Sequence, residues 1–208
     1  MIEEQQLAGE HMTMRVDAQG TAHISFDDKG TGRSCGSCQL CCKLVPVPTI
    51  GKAAGKRCLH QKTGKGCGIY PSRPFACKTW GCRWLIDPEA AALPRPDRAH
   101  YVVDMMEDYV TLAPKDGGPP QKIPVVQVWI DPAFPEAHRQ PALRTYMQQM
   151  AERYGLATIV RYSSRDAVTV FPPRFDKDGQ WTEMRGQVAA RTEQEANVVQ
   201  LAAGGGIR

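Results

Sequence analysis

Eight cysteines, Cys35, Cys38, Cys41, Cys42, Cys58, Cys67, Cys77 and Cys82, fall within 48 consecutive residues of a 208-residue chain. No other feature constrains the fold as tightly. Thiols this crowded are either oxidised in pairs or gathered around an inorganic centre. The charge of the same stretch bears on that choice. Between Asp28 and Asp87 there is no acidic residue, while eleven basic ones occur: Lys29, Arg33, Lys43, Lys52, Lys56, Arg57, Lys62, Lys65, Arg73, Lys78 and Arg83. Since the whole chain carries +4, the remainder sums to −7. A thiol ligates as its thiolate, and nearby cations favour the ionised form. The basic residues therefore suit a role in offsetting an anionic metal–thiolate core. A solvated charged face is the plainer alternative. A phosphate-binding surface is a third, but the region has few aromatics to stack bases.

Disulfides are the structural competitor, and a Gly/Pro-rich stretch is what a disulfide scaffold looks like. Against them stand the adjacent pair Cys41-Cys42, the tight C-x2-C spacings, and an N-terminus (Met1-Ile2-Glu3-Glu4) with neither basic nor apolar signal character. No apolar run approaches the 18 residues or so of a membrane span. The expectation is a cytoplasmic protein, reduced thiols and metal binding.

Along the chain, Met12 to Val16 and Ala22 to Phe26 alternate around Asp17-Ala18-Gln19-Gly20, which predicts a β-hairpin within residues 1–28. Residues 29–86 form the cysteine-cluster region, loop-rich, with short helical turns after Cys38 and around Arg73 to Thr79. Residues 87–175 read as an α+β region. Strands are predicted at Tyr101 to Met105, Tyr109 to Ala113, Val125 to Ile130 (entered through Pro124), Leu156 to Tyr162 and Ala167 to Phe171. One helix opens at Pro141, stops at Gly155 and places Leu143, Met147, Met150 and Tyr154 on one face. Residues 176–208 are more polar, with a weak helix expected from Glu183 to Leu201 and partial disorder. The fold class is α+β: a small, mostly antiparallel sheet with one covering helix, joined to a metal-stapled cysteine subdomain.

The chemistry sits in three pieces. Cys35-Gly36-Ser37-Cys38-Gln39-Leu40-Cys41-Cys42 presents sulfurs at x2 intervals, a spacing shared with the opening of a bacterial ferredoxin run. Neighbours in sequence point apart, so Cys41 and Cys42 do not readily share one mononuclear ion. Either one ligates and the other packs, or they serve different centres. Cys58-Leu59-His60 follows, then Cys67-Gly68-Ile69-Tyr70-Pro71-Ser72-Arg73-Pro74-Phe75-Ala76-Cys77, and finally Trp80-Gly81-Cys82-Arg83-Trp84. Arg73 is placed to balance a thiolate or to fix its loop. Tyr70, Phe75, Trp80 and Trp84 are placed to form a small shielding core. His60 is a spare ligand candidate beside eight thiols, and His11, His23, His100 and His138 share no spacing.

This joint pattern resembles the YkgJ-like cysteine-cluster proteins (the CxxCxxCC family), described as zinc- or iron-chelating. Their C-x2-C-x2-C-C, separate Cys and C-x-I-Y-x-x-R-P-x-x-C match Cys35, Cys38, Cys41, Cys42, Cys58, Cys67, Ile69, Tyr70, Arg73, Pro74 and Cys77 over residues 33–86. Leu40 replaces the glycine often found before the paired cysteines, and Cys82 between two tryptophans is similar to one subgroup. The resemblance implies all eight cysteines as metal ligands, with Tyr70 and Arg73 supporting the bound group. Flagellin lysine N-methylases are similar in this signature, which implies an iron–sulfur centre in some relatives. No glycine-rich nucleotide loop follows a strand here, so methylation is not carried over. The functional expectation is an iron–sulfur protein with a redox or redox-dependent enzymatic role. The alternatives are a structural zinc protein that binds a protein partner, and a basic zinc-ribbon-like nucleic-acid binder. No nucleophile–base pair or carboxylate dyad is legible.

Overall fold

The computed structural model describes residues 4–6, 12–16, 22–26, 31–104, 108–112, 119–185, 187–188 and 199–200. In chain order these form β1 (Glu4–Gln6), β2 (Met12–Val16), β3 (Ala22–Phe26), α1 (Leu40–Leu44), β4 (Gln61–Lys62), β5 (Gly66–Cys67), α2 (Phe75–Lys78), α3 (Arg83–Ile86), α4 (Pro96–Ala99), β6 (Tyr101–Asp104), β7 (Tyr109–Leu112) and β8 (Gln121–Ile130). After these come α5 (Pro141–Tyr154), β9 (Ala157–Arg161), β10 (Ala167–Phe171), β11 (Thr182–Arg185), β12 (Gln187–Val188) and β13 (Val199–Gln200). The class is α+β. The N-terminal strands pair antiparallel, β2 with β3 in the register Met12↔Phe26 and β1 with β2 at Glu4↔Arg15.

The large sheet runs β11-β10-β9-β8-β7-β13-β12, with β6 also on β8. Most pairings are antiparallel, but the central one, β8 with β9, is parallel. Parallel neighbours need a long crossover, and α5 lies within it. Pro141 opens this helix and Gly155 closes it at φ 67°, a left-handed conformation that costs glycine little. Leu143, Tyr146, Met147 and Met150 pack on Val126, Val128, Ile130, Val160 and Val170, the residues of one sheet face. Burying each of the larger side chains contributes about 1.5–3 kcal/mol. Tyr146 takes the place predicted for Tyr154. The latter, near the helix end, is half exposed, its hydroxyl donating to Glu89 Oε1 at 2.9 Å.

Strand β8 extends further back than expected, through Pro124 to Gln121. The Val125 N–H donates to Asp108 O at 3.0 Å, on the β7 side. The nitrogen of Pro124 therefore faces the opposite side, where β9 pairing begins only at Val125↔Ala157. A proline there costs no ladder bond. The helix expected from Glu183 is replaced at its start by β11, which pairs Thr182 with Phe171 and Arg185 with Val168. The reason is period two: Thr182 and Met184 turn inward, Glu183 and Arg185 outward. Residues 189–198 of that expected helix lie outside the described residues.

The pleat also locates the cysteines. Tyr101, Val103, Val128 and Ile130 face α5, whereas Val102 and Trp129 face the other way and pack with Leu40, Leu44 and Cys82. Further along that second face lie Val110, Val125, Ile159 and Phe171. Between the two apolar groups runs a buried polar seam, where Arg161 Nε donates to Gln127 Oε1 at 2.7 Å and its guanidinium reaches Asp108 Oδ2 at 3.3 Å.

Candidate metal centre

The first cysteines are set by a turn and a helix. Cys38 N–H donates to Cys35 O at 2.8 Å, folding the C-x2-C loop back on itself. Helix α1 then buries Leu40 and Leu44, one turn apart, against the sheet. Leu40 is thus a core residue, 8% exposed. Cys41 shares that side, packing with Cys38, Trp80 and Trp84 around buried Cys82. Lys43 anchors the helix by an ion pair to Asp131, 2.7 Å from each carboxylate oxygen. Burial raises the Asp131 carboxyl, but the hydrogen bond and charge of Lys43 and the Ala133 N–H together outweigh it and hold the group below its ordinary range.

The remaining cysteines come from loops docked onto α1. Cys58 N–H donates to Cys42 O at 3.0 Å, and Gln61 N–H to Cys58 O at 3.1 Å. Gln61 stands opposite Cys67 in the β4–β5 hairpin. Gln39 clamps this hairpin: its Nε2 reaches the carbonyls of Lys62 and Gly66, and its Oε1 accepts from Gln61 Nε2 at 2.6 Å. Gly66 is required at the contact. Its φ is 86°, and a Cβ there would stand 3.2 Å from Gly36 O. Cys77 sits in α2, whose first turn follows Pro74 and closes with Cys77 N–H on Pro74 O at 2.9 Å.

All eight cysteines are free thiols. Their ionisation is uneven. The hydrogen bond between Cys41 and Cys42 raises Cys41 well above the ordinary thiol and lowers Cys42 to about 7, helped at Cys42 by the charges of Lys52 and Arg73. Burial pushes Cys82 up to about 12 and raises Cys35, Cys38 and Cys77. Lys52, 8% exposed, is itself lowered by burial, and its charge faces Cys42, Cys58, Cys41 and Cys77. Its ammonium donates to the carbonyls of Val45, Lys43 and Ala53. Of the eleven window cations, Lys52 and Arg73 thus bear on the sulfurs, whereas Lys43 and Arg83 are paired with Asp131 and Asp87. Arg33 donates to the carbonyls of Trp84 and Ala90.

Arg73 does both things expected of it. Its Nε donates to Tyr70 O at 3.1 Å, its guanidinium lies 3.7 Å from the Tyr70 ring centroid, and its charge lowers Cys35, Cys42 and Cys77. The shielding core is only half formed as expected. Trp80 and Trp84 pack on the apolar group, and Trp80 Nε1 donates to Asp104 Oδ1 at 3.0 Å. Tyr70 and Phe75 instead stand 50% and 61% exposed, because the loops carrying them have no sheet beneath to bury them. His60 is exposed, and its carbonyl accepts from Gly68 N–H at 2.7 Å. Lys52 and Gln39 were not singled out by sequence. Both act through folded loops, and no linear spacing marks them.

The donors suit a soft metal in kind and number. As placed, however, no three histidine, cysteine, aspartate or glutamate side chains among the described residues converge closely enough to hold an ion. Ligation therefore requires the sulfurs to be drawn inward. No family model, curated protein or solved structure matches the chain.

Proposed function

We propose that this chain is a metal-binding cysteine-cluster protein of the YkgJ-like kind, holding an iron–sulfur cluster with a redox role in a reducing, cytoplasmic setting. One observation carries the metal. From Val45 to Gly81 no apolar side chain is buried, and the only buried residues are Lys52 and Gly66. Thirty-seven residues (45–81) with three of the eight thiols and no apolar core of their own need another source of order, and thiolate–metal bonds would supply it. Iron and sulfide are favoured by thiols at x2 intervals, with Trp80 and Trp84 covering Cys38, Cys41 and Cys82 against the sheet.

The same lack of apolar burial favours structural zinc as the second reading, with the exposed Leu59, Tyr70 and Phe75 open to a protein partner. Elemental analysis and the visible spectrum of anaerobically isolated protein separate the two. Brown protein with iron and acid-labile sulfide is expected. Colourless protein containing zinc moves the assignment to the second reading, and protein devoid of metal overturns both. Cys38→Ser and Cys67→Ser should each lower the metal content, while His60→Ala should leave it intact.

A further inference from the structure

The loops that carry Cys58 and Cys67 also present a surface that metal binding leaves unused. We propose that the face around Leu59 and Tyr70 is a docking site for an acidic protein segment, one that sets carboxylates around an apolar anchor. The proposal names a partner for the metal-stapled loops and rests on that reading for their order.

Charge gives the first argument. Residues 45–81 hold seven basic side chains and no acidic one. Lys52 and Arg73 bear on the sulfurs, which leaves five. Of these, Arg57, Lys62 and Lys65 are exposed, and among the described residues none of the three has a carboxylate partner. They gather in one place. Lys62 and Lys65 flank the tip of the β4–β5 hairpin, closed by Lys65 N–H on Lys62 O at 2.9 Å. Arg57 reaches the same tip through Thr63 Oγ1 at 3.2 Å. Like charges held together repel one another, and an anion from outside relieves that repulsion.

The apolar side chains stand beside this tip. Leu59 is 95% exposed, in the turn that Gln61 N–H closes on Cys58 O. Gly68 N–H donates to His60 O at 2.7 Å, which brings the segment before Tyr70 against the residue after Leu59. Lys62 crosses this junction. A Cβ on Gly68 would stand 2.7 Å from Lys62 Cε, so the bare glycine is what lets the lysine stem lie there. An almost fully exposed leucine beside a half-exposed tyrosine, edged by cations, has the make-up of a protein-docking patch, with an apolar centre and a polar rim.

Other polyanions fit less well. Leu59 has no ring on which a base could stack. Arg73 lies over the Tyr70 ring at 3.7 Å and donates its Nε to Tyr70 O. One face of that ring is therefore taken, and sinking the ring into lipid would carry a guanidinium with it. A protein accepts the stacked pair as it stands, since a carboxylate meets a guanidinium at its edge.

Binding to the full chain as isolated, with its metal content measured, tests the site. The probes are a synthetic peptide of leucine and phenylalanine flanked by glutamates, the same peptide with glutamines for glutamates, and polyglutamate of equal length. A single-stranded thymidine oligonucleotide and vesicles containing phosphatidylserine complete the set. The acidic–apolar peptide should bind at least about tenfold more tightly than either control peptide, and its affinity should fall as salt rises. Leu59→Ser, and Lys62→Glu combined with Lys65→Glu, should each weaken it by about tenfold at unchanged metal content. If a variant loses its metal, the probe comparison on the intact chain decides. Tighter binding of the oligonucleotide or the vesicles, equal affinity for the three peptides, or unchanged affinity in both variants overturns the site. Metal-loaded protein that binds no probe sinks the docking site alone. Metal-free protein that still prefers the acidic–apolar peptide sinks the metal reading alone, and protein with neither property sinks both.

Discussion

Strands β9 and β10 and the loops from Val45 to Gly81 solve the same problem in opposite ways. Every residue of both strands is buried, and their order follows from apolar packing on two faces of a sheet. In the loops, Lys52 and Gly66 alone are buried, and shape is set by backbone turns, the Gln39 clamp and the contacts of a few of seven unevenly placed cations. Conformational entropy costs about 1–2 kcal/mol per fixed residue in either place. Only the sheet offsets it with apolar burial. On the proposed reading the loops offset it with bonds to a metal, and their sulfurs are the groups able to make them.

Metal removal is the strongest test of that contrast. Stripping the protein with a chelator under reducing conditions should bring amide exchange in 45–81 to the rate of an unfolded chain. Strands β8, β9 and β10 should keep their protection. Equal retention in both regions would show that the loops hold themselves, and parallel loss would show that the sheet depends on the metal.

Core truncation is the converse test. Leu143 of α5 is fully buried against the sheet, so Leu143→Ala should destabilise the layer by about 2–5 kcal/mol. Thermal unfolding would record it, while metal content below the transition stays at the wild-type value. Loss of metal at temperatures where the sheet remains folded would mean that the two regions are not separable.

The contrast also explains what was legible in the sequence. Helix α5 was readable because Leu143, Met147 and Met150 repeat with the helical period between Pro141 and Gly155. Strand β10 was readable because five residues between polar turns have few other options. The short turns α1 and α2 were anticipated after Cys38 and near Arg73, and the signature marked the sulfurs. What was hidden depends on contacts distant in sequence. The choice of Tyr146 over Tyr154 is made by the sheet that α5 lies on. Pro124 sits inside a strand only because its nitrogen faces the side that β9 has not yet reached. Lys52 is one cation among eleven until the bridge between Val47 and Lys52 turns it under α1.

Lys52 gives a smaller effect, confined to the loop side of the comparison. Lys52→Met keeps the volume but removes the charge facing Cys42, Cys58 and Cys77 and leaves the Val45 and Lys43 carbonyls without their ammonium donor. Groups that support ligands in this way typically change metal affinity about 10–100-fold. Competition with a chelator of known affinity should show a loss of that order, with the unfolding of the sheet unmoved. An unchanged affinity would reduce Lys52 to a loop fastener.

The smallest effect lies in the sheet layer and separates the two regions by pH. Burial raises the Glu183 carboxyl, but hydrogen bonds from Arg139 and Arg144 outweigh it and hold it at about 2, against an ordinary 4.5. A carboxyl lower in the folded state contributes its full stability above the ordinary value and loses it as pH falls toward 2. Exposed ion pairs of this kind contribute about 0.2–1 kcal/mol. Glu183→Gln should therefore lower stability slightly at neutral pH, and the deficit should shrink between pH 4.5 and about 2 as the wild-type carboxyl protonates. Metal–thiolate bonds respond in the same direction for another reason, because protons compete with the metal for each sulfur. Thiols have much higher proton affinity than Glu183, so acidification should release the metal and loosen 45–81 first. The strand β11 contacts to Arg139 and Arg144 should go later, at lower pH. Recording metal release and far-ultraviolet dichroism on one acid titration gives both midpoints, and a single shared midpoint would mean that the loops and the sheet unfold as one.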